Sequence, residues 1–203
     1  MTEFDYERHL VKGDADTARS WVESSALPDD QKADLLTFVA NFPSLTFVKE
    51  DDAVFEHYAE TDGVTLPPWL REVRSTLAFV DPPVLLQVDD FQWYDSPRSD
   101  DVEDIWYDLR FGYHGEEQRA LFSDDARIYR IAGSWDGEES YLGVDLLNPE
   151  DQRIFDFSGA DLRDNKLAGR PVRGSLYPVF GSYAEFLAHI ADVRPLDDDP
   201  EGE

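Results

Sequence analysis

The residues that could do chemistry are numerous but badly placed for it. Four histidines stand at positions 9, 57, 114 and 189, and none lies within four residues of another. No helical pair of imidazoles can therefore grip a metal in the way a His-Glu-x-x-His helix does. Ser134 and Ser158 sit beside glycines in turn contexts without a histidine close in sequence, and no Gly-x-Ser-x-Gly elbow is present. Glycine-rich phosphate-binding loops are missing too. The acidic runs Asp100-Asp101-x-Glu103-Asp104 and Asp197-Asp198-Asp199 lack the spaced ligands and the glycine of a calcium-binding loop. A hydrolase built on two carboxylates needs only a set separation in space, and 45 acids offer no way to choose the pair. No catalytic residue, metal ligand or cofactor site is assigned, and the chain reads as a non-enzyme.

One segment concentrates a different capability. From Asp89 to Asp108, eight acids stand against Arg98 alone, with Phe91, Trp93, Tyr94 and Trp106 among them. Aromatic rings supply anchoring area at protein interfaces, and surrounding carboxylates steer a basic partner. The expected partner-binding residues are Asp89, Asp90, Trp93, Tyr94, Asp95, Asp100, Asp101, Glu103 and Asp104. The plainer reading of the same stretch is a solvated loop whose rings turn into the core.

Charge narrows the choice of partner. The 203 residues carry 45 acids and 18 Lys or Arg, a net charge of −27. Such a chain repels nucleic-acid backbones and anionic membranes, so neither is expected as a partner. A basic protein is the expected one; a surface acidic only for solubility or salt adaptation is the other reading. The start, Met1-Thr2-Glu3-Phe4-Asp5, has neither the basic nor the apolar stretch of a secretory signal, and no apolar run is long enough to span a bilayer. The lack of cysteine excludes disulfides and fits a reducing cytoplasm. With 41% hydrophobic residues the chain can bury a core.

The elements that would position these residues follow from periodicity. To about residue 80 the chain reads helical. Asp14 or Asp16 can cap a helix carrying Ala18, Trp21, Val22 and Ala26; Leu27-Pro28-Asp29 interrupts it, and a second helix fits Asp30 to Asn41, giving a hairpin. Leu66-Pro67-Pro68-Trp69-Leu70 opens a third, since proline is tolerated in a first turn. From Val84 to Phe157 the period falls to two. Ile105 to Phe111, Arg127 to Ile131, Tyr141 to Leu146 and Gln152 to Phe157 read as strands, with a turn at Gly133–Gly137. Ser182-Tyr183-Ala184-Glu185 is a capping box, and Tyr183, Phe186, Leu187, Ile190 and Val193 predict a closing helix that ends at Arg194-Pro195. The expectation is a single α+β domain: a mainly antiparallel sheet flanked by helices, a helical extension over residues 1–49 packed on a core of residues 50–195, and a disordered acidic tail at 196–203. The oligomeric state is left open.

The order of motifs resembles the SMI1/KNR4-like proteins of the SUKH superfamily over residues 50–193. Leu66-Pro67-Pro68-Trp69-Leu70-Arg71-Glu72-Val73 is similar to that family's Leu-Pro helix start, matching at Leu66, Pro67 and Leu70. Ile128 to Gly137 resembles its strand into a glycine-bearing turn, with Gly133 and Gly137, and Tyr141 to Leu146 its next strand, with Asp145. Gly181-Ser182-Tyr183-Ala184-Glu185-Phe186-Leu187 resembles its closing helix through Ser182, Glu185, Phe186 and Leu187. Val80-Asp81-Pro82-Pro83 stands where the family has an Asn-Gly step, and the stretch from Asp89 to Asp108 is enlarged. The resemblance implies a binding module without catalytic residues, the matched positions being structural. It also implies an immunity-type protein that neutralises a toxin, often a nuclease; a scaffold or regulatory interaction protein of the same fold is the alternative.

Overall fold

The computed structural model describes residues 4–79, 84–88, 105–109, 111–113, 115–134 and 140–195. It has the α+β class and the antiparallel pairing expected from the sequence. The chain divides into two compact units: Met1–Asp81 with Ser182–Ala188, and Pro82–Gly181 with His189–Glu203.

The first unit is helical around a small sheet. Helix α1 (Ala15–Ser24) starts where Asp14 accepts a hydrogen bond from the Thr17 amide at 2.9 Å, so Asp14 rather than Asp16 is the cap. Helix α2 (Asp29–Asn41) begins after Pro28 and stops at Phe42, ahead of Pro43, completing the hairpin. Helix α3 (Asp52–Asp62), which periodicity did not reveal, is capped by Asp51 through the Ala53 amide at 2.9 Å and ends on Gly63 at φ 69°. That left-handed conformation suits glycine. Helix α4 (Pro68–Thr76) has proline in its first turn, as expected.

The stretch to residue 80 is not all helix, because three short strands interrupt it. They are β1 (Leu10–Gly13), β2 (Phe47–Glu50) and β3 (Ala78–Phe79), paired antiparallel in the order β1-β2-β3. Runs of four and two residues are too short for a period of two to register. Phe38 packs at the centre of this unit, its ring 5.1 Å from Phe79 and 6.0 Å from Phe47. Leu35, Leu70, Leu77 and Phe186 are buried with it.

The closing helix α7 (Tyr183–Ala188) belongs to this unit and packs on α2. It is shorter than expected. Ile190 and Val193 do not extend it; they lie on strand β10 (Ile190–Pro195), which pairs with β4 (Val84–Val88). His189 thus lies between helix and strand instead of on the helix.

The second unit is built on a seven-stranded antiparallel sheet in the order β10-β4-β5-β6-β7-β8-β9. Its remaining strands are β5 (Ile105–Asp108), β6 (Ile128–Ser134), β7 (Ser140–Asp145), β8 (Ile154–Ser158) and β9 (Tyr177–Phe180). The expected strand from Ile105 stops at Asp108 and leaves out Leu109 and Phe111. Short helix α5 (Gly115–Arg119) runs into a π-helical segment, Ala120–Ala126, and α6 (Gly159–Leu167) follows β8. Phe122, Ile128, Phe157 and Leu162 form the apolar centre, with the Phe122 ring edge-on to Phe157 at 5.0 Å. Gly143 is required in β7, because a Cβ there would lie 2.8 Å from the Tyr129 carbonyl oxygen.

Candidate functional site

The expected recognition segment is held at both ends by the sheet. β4 and β5 pair antiparallel with Val88 opposite Ile105 and Leu85 opposite Asp108. Residues 89–104 are therefore the connection of a hairpin whose two feet stand side by side. Asp89, Asp90, Trp93, Tyr94, Asp95, Asp100, Asp101, Glu103 and Asp104 all fall within that connection, which lies outside the described residues. Both supporting strands are interior to the sheet, β4 between β10 and β5, and β5 between β4 and β6. A long connection on interior strands is anchored by ladders on both sides, which suits loops that carry recognition residues on a rigid scaffold.

The positions on which the resemblance was drawn have the following surroundings. Leu66 and Leu70 are buried, and Pro67 stands at the N-terminal boundary of α4 without a side-chain capping hydrogen bond. Gly133 lies in β6, where a Cβ would come 3.0 Å from the Arg130 guanidinium and 3.1 Å from the Tyr141 ring. Gly137 lies outside the described residues. The Ser182 hydroxyl accepts the Glu185 amide at 3.0 Å, the serine half of the capping box. Phe186 and Leu187 are fully buried.

Asp145 does more than end β7. Its carboxylate is 2% exposed and accepts from the Leu147 amide at 2.8 Å, the Asn148 side chain at 2.6 Å and Arg173 Nη2 at 2.6 Å. Burial pushes its pKa up, but the hydrogen bonds from Asn148, Leu147 and Arg173 outweigh burial and hold it below the usual carboxylate range. The same Arg173 donates through Nη1 to the Ala126 carbonyl at 2.6 Å. It thereby closes the C-terminal end of the π-helical segment, where Arg127 adopts a left-handed φ of 54°. One arginine thus ties the end of β7 to the end of that segment.

Sequence reasoning missed the other polar centre altogether. In the first unit Arg74 donates to Glu50 in a two-pronged pair, Nε to Oε2 at 2.6 Å and Nη2 to Oε1. Its Nη1 reaches the Tyr183 hydroxyl at 3.5 Å. The Arg74 and Glu50 side chains are 6% and 1% exposed. Burial alone would lower Arg74, but Glu50, Tyr58 and Tyr183 beside it raise its pKa above the ordinary value. Burial pushes the Tyr183 hydroxyl up to about 12, and it raises Tyr6 and Tyr58 as well. With the tyrosines neutral and the ion pair fully engaged, the arrangement binds its elements together and offers no nucleophile or base. Glu50 and Arg74 are 24 residues apart, and Tyr183 is 109 from Arg74, so no local spacing signals the cluster.

Among the described residues no three His, Cys, Asp or Glu side chains gather as a metal site would need. His9 pairs with Asp51 at 3.0 Å and stacks on Phe4, which also stacks on His57 at 4.2 Å between ring centres. His114 lies outside the described residues, and His189 packs against Phe180. No helix among the described residues is long and apolar enough to cross a membrane. No protein-family model, curated protein or solved structure matches the chain.

Proposed function

We propose that this chain is a protein-binding module that recognises a basic protein through the connection between β4 and β5. On this reading it acts as an immunity-type protein that neutralises a basic toxin, with nucleases the favoured class. The observation that carries the proposal is the concentration of seven acids and three aromatic rings in a connection whose feet are fixed by the Val88–Ile105 pairing. Long loops set on paired strands are where recognition residues commonly reside. The net charge of −27 supports a cationic partner and disfavours nucleic acid. The resemblance to SMI1/KNR4-like proteins supports the immunity role, and the absence of cysteine supports action in a reducing cytoplasm.

The test is titration calorimetry and stopped-flow association of the full chain with the basic protein encoded beside it. A nanomolar-class complex is expected, with an association rate that falls steeply as salt rises. Replacing Asp89, Asp90, Asp100 and Asp101 together by Asn slows association about tenfold or more while dissociation changes little. Absence of binding at low salt, or an unchanged on-rate in the Asn variant, overturns the proposal.

A further inference from the structure

Residues 4–13 lie on the first unit as a strap, a single 3₁₀ turn (Tyr6–His9) followed by β1. None of them is fully buried. β1 is an edge strand of its sheet, held to β2 by the register pairs from Leu10–Glu50 to Gly13–Phe47. The ion pairs Arg8–Asp5 and Lys12–Glu7 are exposed and join strap residues to one another, so they do not fasten the strap to the rest of the unit. A segment with so little buried area opens locally well before the whole unit unfolds.

What fastens it is a stack of rings. Phe4 lies between two imidazoles, near-parallel to His9 at 5.0 Å and to His57 of α3 at 4.2 Å. Tyr6 meets the His57 ring edge-on at 5.8 Å. His9 Nδ1 is 3.0 Å from Oδ2 of Asp51, the residue that caps α3, and this bond holds the Asp51 carboxyl below the usual carboxylate range. Histidine is the side chain that changes charge between about pH 5 and 8. An imidazolium lying on a benzene face gains the attraction of a cation for the π cloud, and Phe4 receives one on each side.

The surrounding charges act in the same direction. The cations near the strap are already matched: Arg8 and Lys12 as above, Arg71 by Asp52 at 2.8 Å, and Arg74 by Glu50, while Lys49 lies over the Trp21 ring. On α1, which packs on β1, Asp14 serves as the cap, Asp16 holds Arg19, and Glu23 is exposed. On α3, Glu56 and Glu60 are exposed beside His57 and about one turn beyond it, and Asp62 acts on Tyr58. Positive charge arriving on His9 and His57 thus enters a net acidic setting.

We propose that residues 4–13 form an acid-tightened clasp, in which protonation of His9 and His57 clamps Phe4 and locks the strap onto α3 and β2, and loss of those protons lets it lift. Lifting withdraws Tyr6 from its hydrogen bond with Tyr58, which stands beside the Glu50–Arg74 pair, and strips β1 from β2. β2 then presents a bare edge, a template for pairing with another chain. The clasp therefore sets whether the small sheet of the first unit has an open edge. The 89–104 connection has no part in it, so the clasp stands or falls separately from recognition of a basic partner.

Hydrogen exchange of the full chain, read by mass spectrometry at about pH 5.5 and about pH 8 with labelling times scaled to the intrinsic amide rate, tests this. Amides of residues 6–13 are expected to be at least about fivefold more protected at the lower pH, while those of α2 change little. His9→Phe combined with His57→Phe keeps a ring on each side of Phe4 without the protons, so the strap loses its pH dependence. Phe4→Leu, at a half-buried position, keeps apolar bulk without the π face and cuts the acid gain to about twofold or less. Equal protection of the strap at the two pH values overturns the proposal. So does a pH dependence that survives in the double variant or undiminished in Phe4→Leu, or a gain that α2 shares equally.

Discussion

Replacing Arg74 by leucine leaves the Glu50 carboxylate, 1% exposed, without its partner in the first unit. Water cannot reach the site to compensate, so the cost is that of an uncompensated buried charge, about 3–5 kcal/mol. The opposite single change, Glu50→Leu, strands the guanidinium and costs about the same. Removing both charges at once eliminates the unpaired ion. What remains is imperfect packing and the lost donor to Tyr183, about 1–2 kcal/mol in total. The two single changes therefore sum to roughly 6–10 kcal/mol, whereas the double variant loses far less, a coupling of at least about 3 kcal/mol. Urea unfolding followed by far-ultraviolet circular dichroism measures all four proteins at pH 7. At the lower end of the usual total stability of about 5–15 kcal/mol, either single variant is close to unfolding while the double variant remains folded. Single variants that lose under about 1 kcal/mol each, with additive effects, would refute the view of this pair as a buried and mutually dependent ion pair.

Two further outcomes rest on the second unit. Asp145 has a folded pKa below its unfolded value, so its contribution to stability is present above about pH 4 and is lost as pH falls through the folded value. Asp145→Asn costs about 2–3 kcal/mol at neutral pH, because it withdraws the charge facing Arg173, and the gap from the parent narrows as unfolding is measured toward pH 2. A gap independent of pH would contradict the assignment. Gly143→Ala places a Cβ 2.8 Å from the Tyr129 carbonyl oxygen and 2.9 Å from the Phe157 ring, and the backbone atom cannot step aside. Thermal unfolding should show a loss of about 1–3 kcal/mol, and a neutral result would mean that β6 and β7 separate more easily than their ladder implies.

The parts of the fold legible in the sequence are those where one local cause dominates. Asp14 beside an apolar stripe marks α1, proline in a first turn marks α4, and a short apolar run marks each of β6 and β7, although Gly133 and Ser134, expected in the turn, belong to β6. Where two causes compete, sequence reasoning errs. Tyr183 to Val193 carries apolar residues at helical spacing throughout, yet the ladder to β4 claims Ile190 and Val193, with a register shift between Ile190 and Asp192. That tertiary override leaves no local trace. Helix α6 is hidden by its mixed face, in which Leu162 is buried and Leu167 exposed. The proposed recognition segment stands out by its composition, and the pairing of β4 with β5 makes it the connection between two neighbouring strands. The Glu50–Arg74–Tyr183 cluster was invisible, since its members come from a strand and two helices far apart along the chain.

The placement of α7 sets an order of events during synthesis. Tyr183, Ala184, Phe186 and Leu187 are buried in a unit whose other residues all precede position 82. A ribosome has therefore made about a hundred intervening residues before the first unit receives its last helix. Until then the face of α2 that packs on α7 is uncovered, and the Arg74–Glu50 pair lacks its tyrosine. The first unit, although most of it is made before the second, is thus completed after it. A holdase bound to the nascent chain in that interval would protect residues 29–41 first.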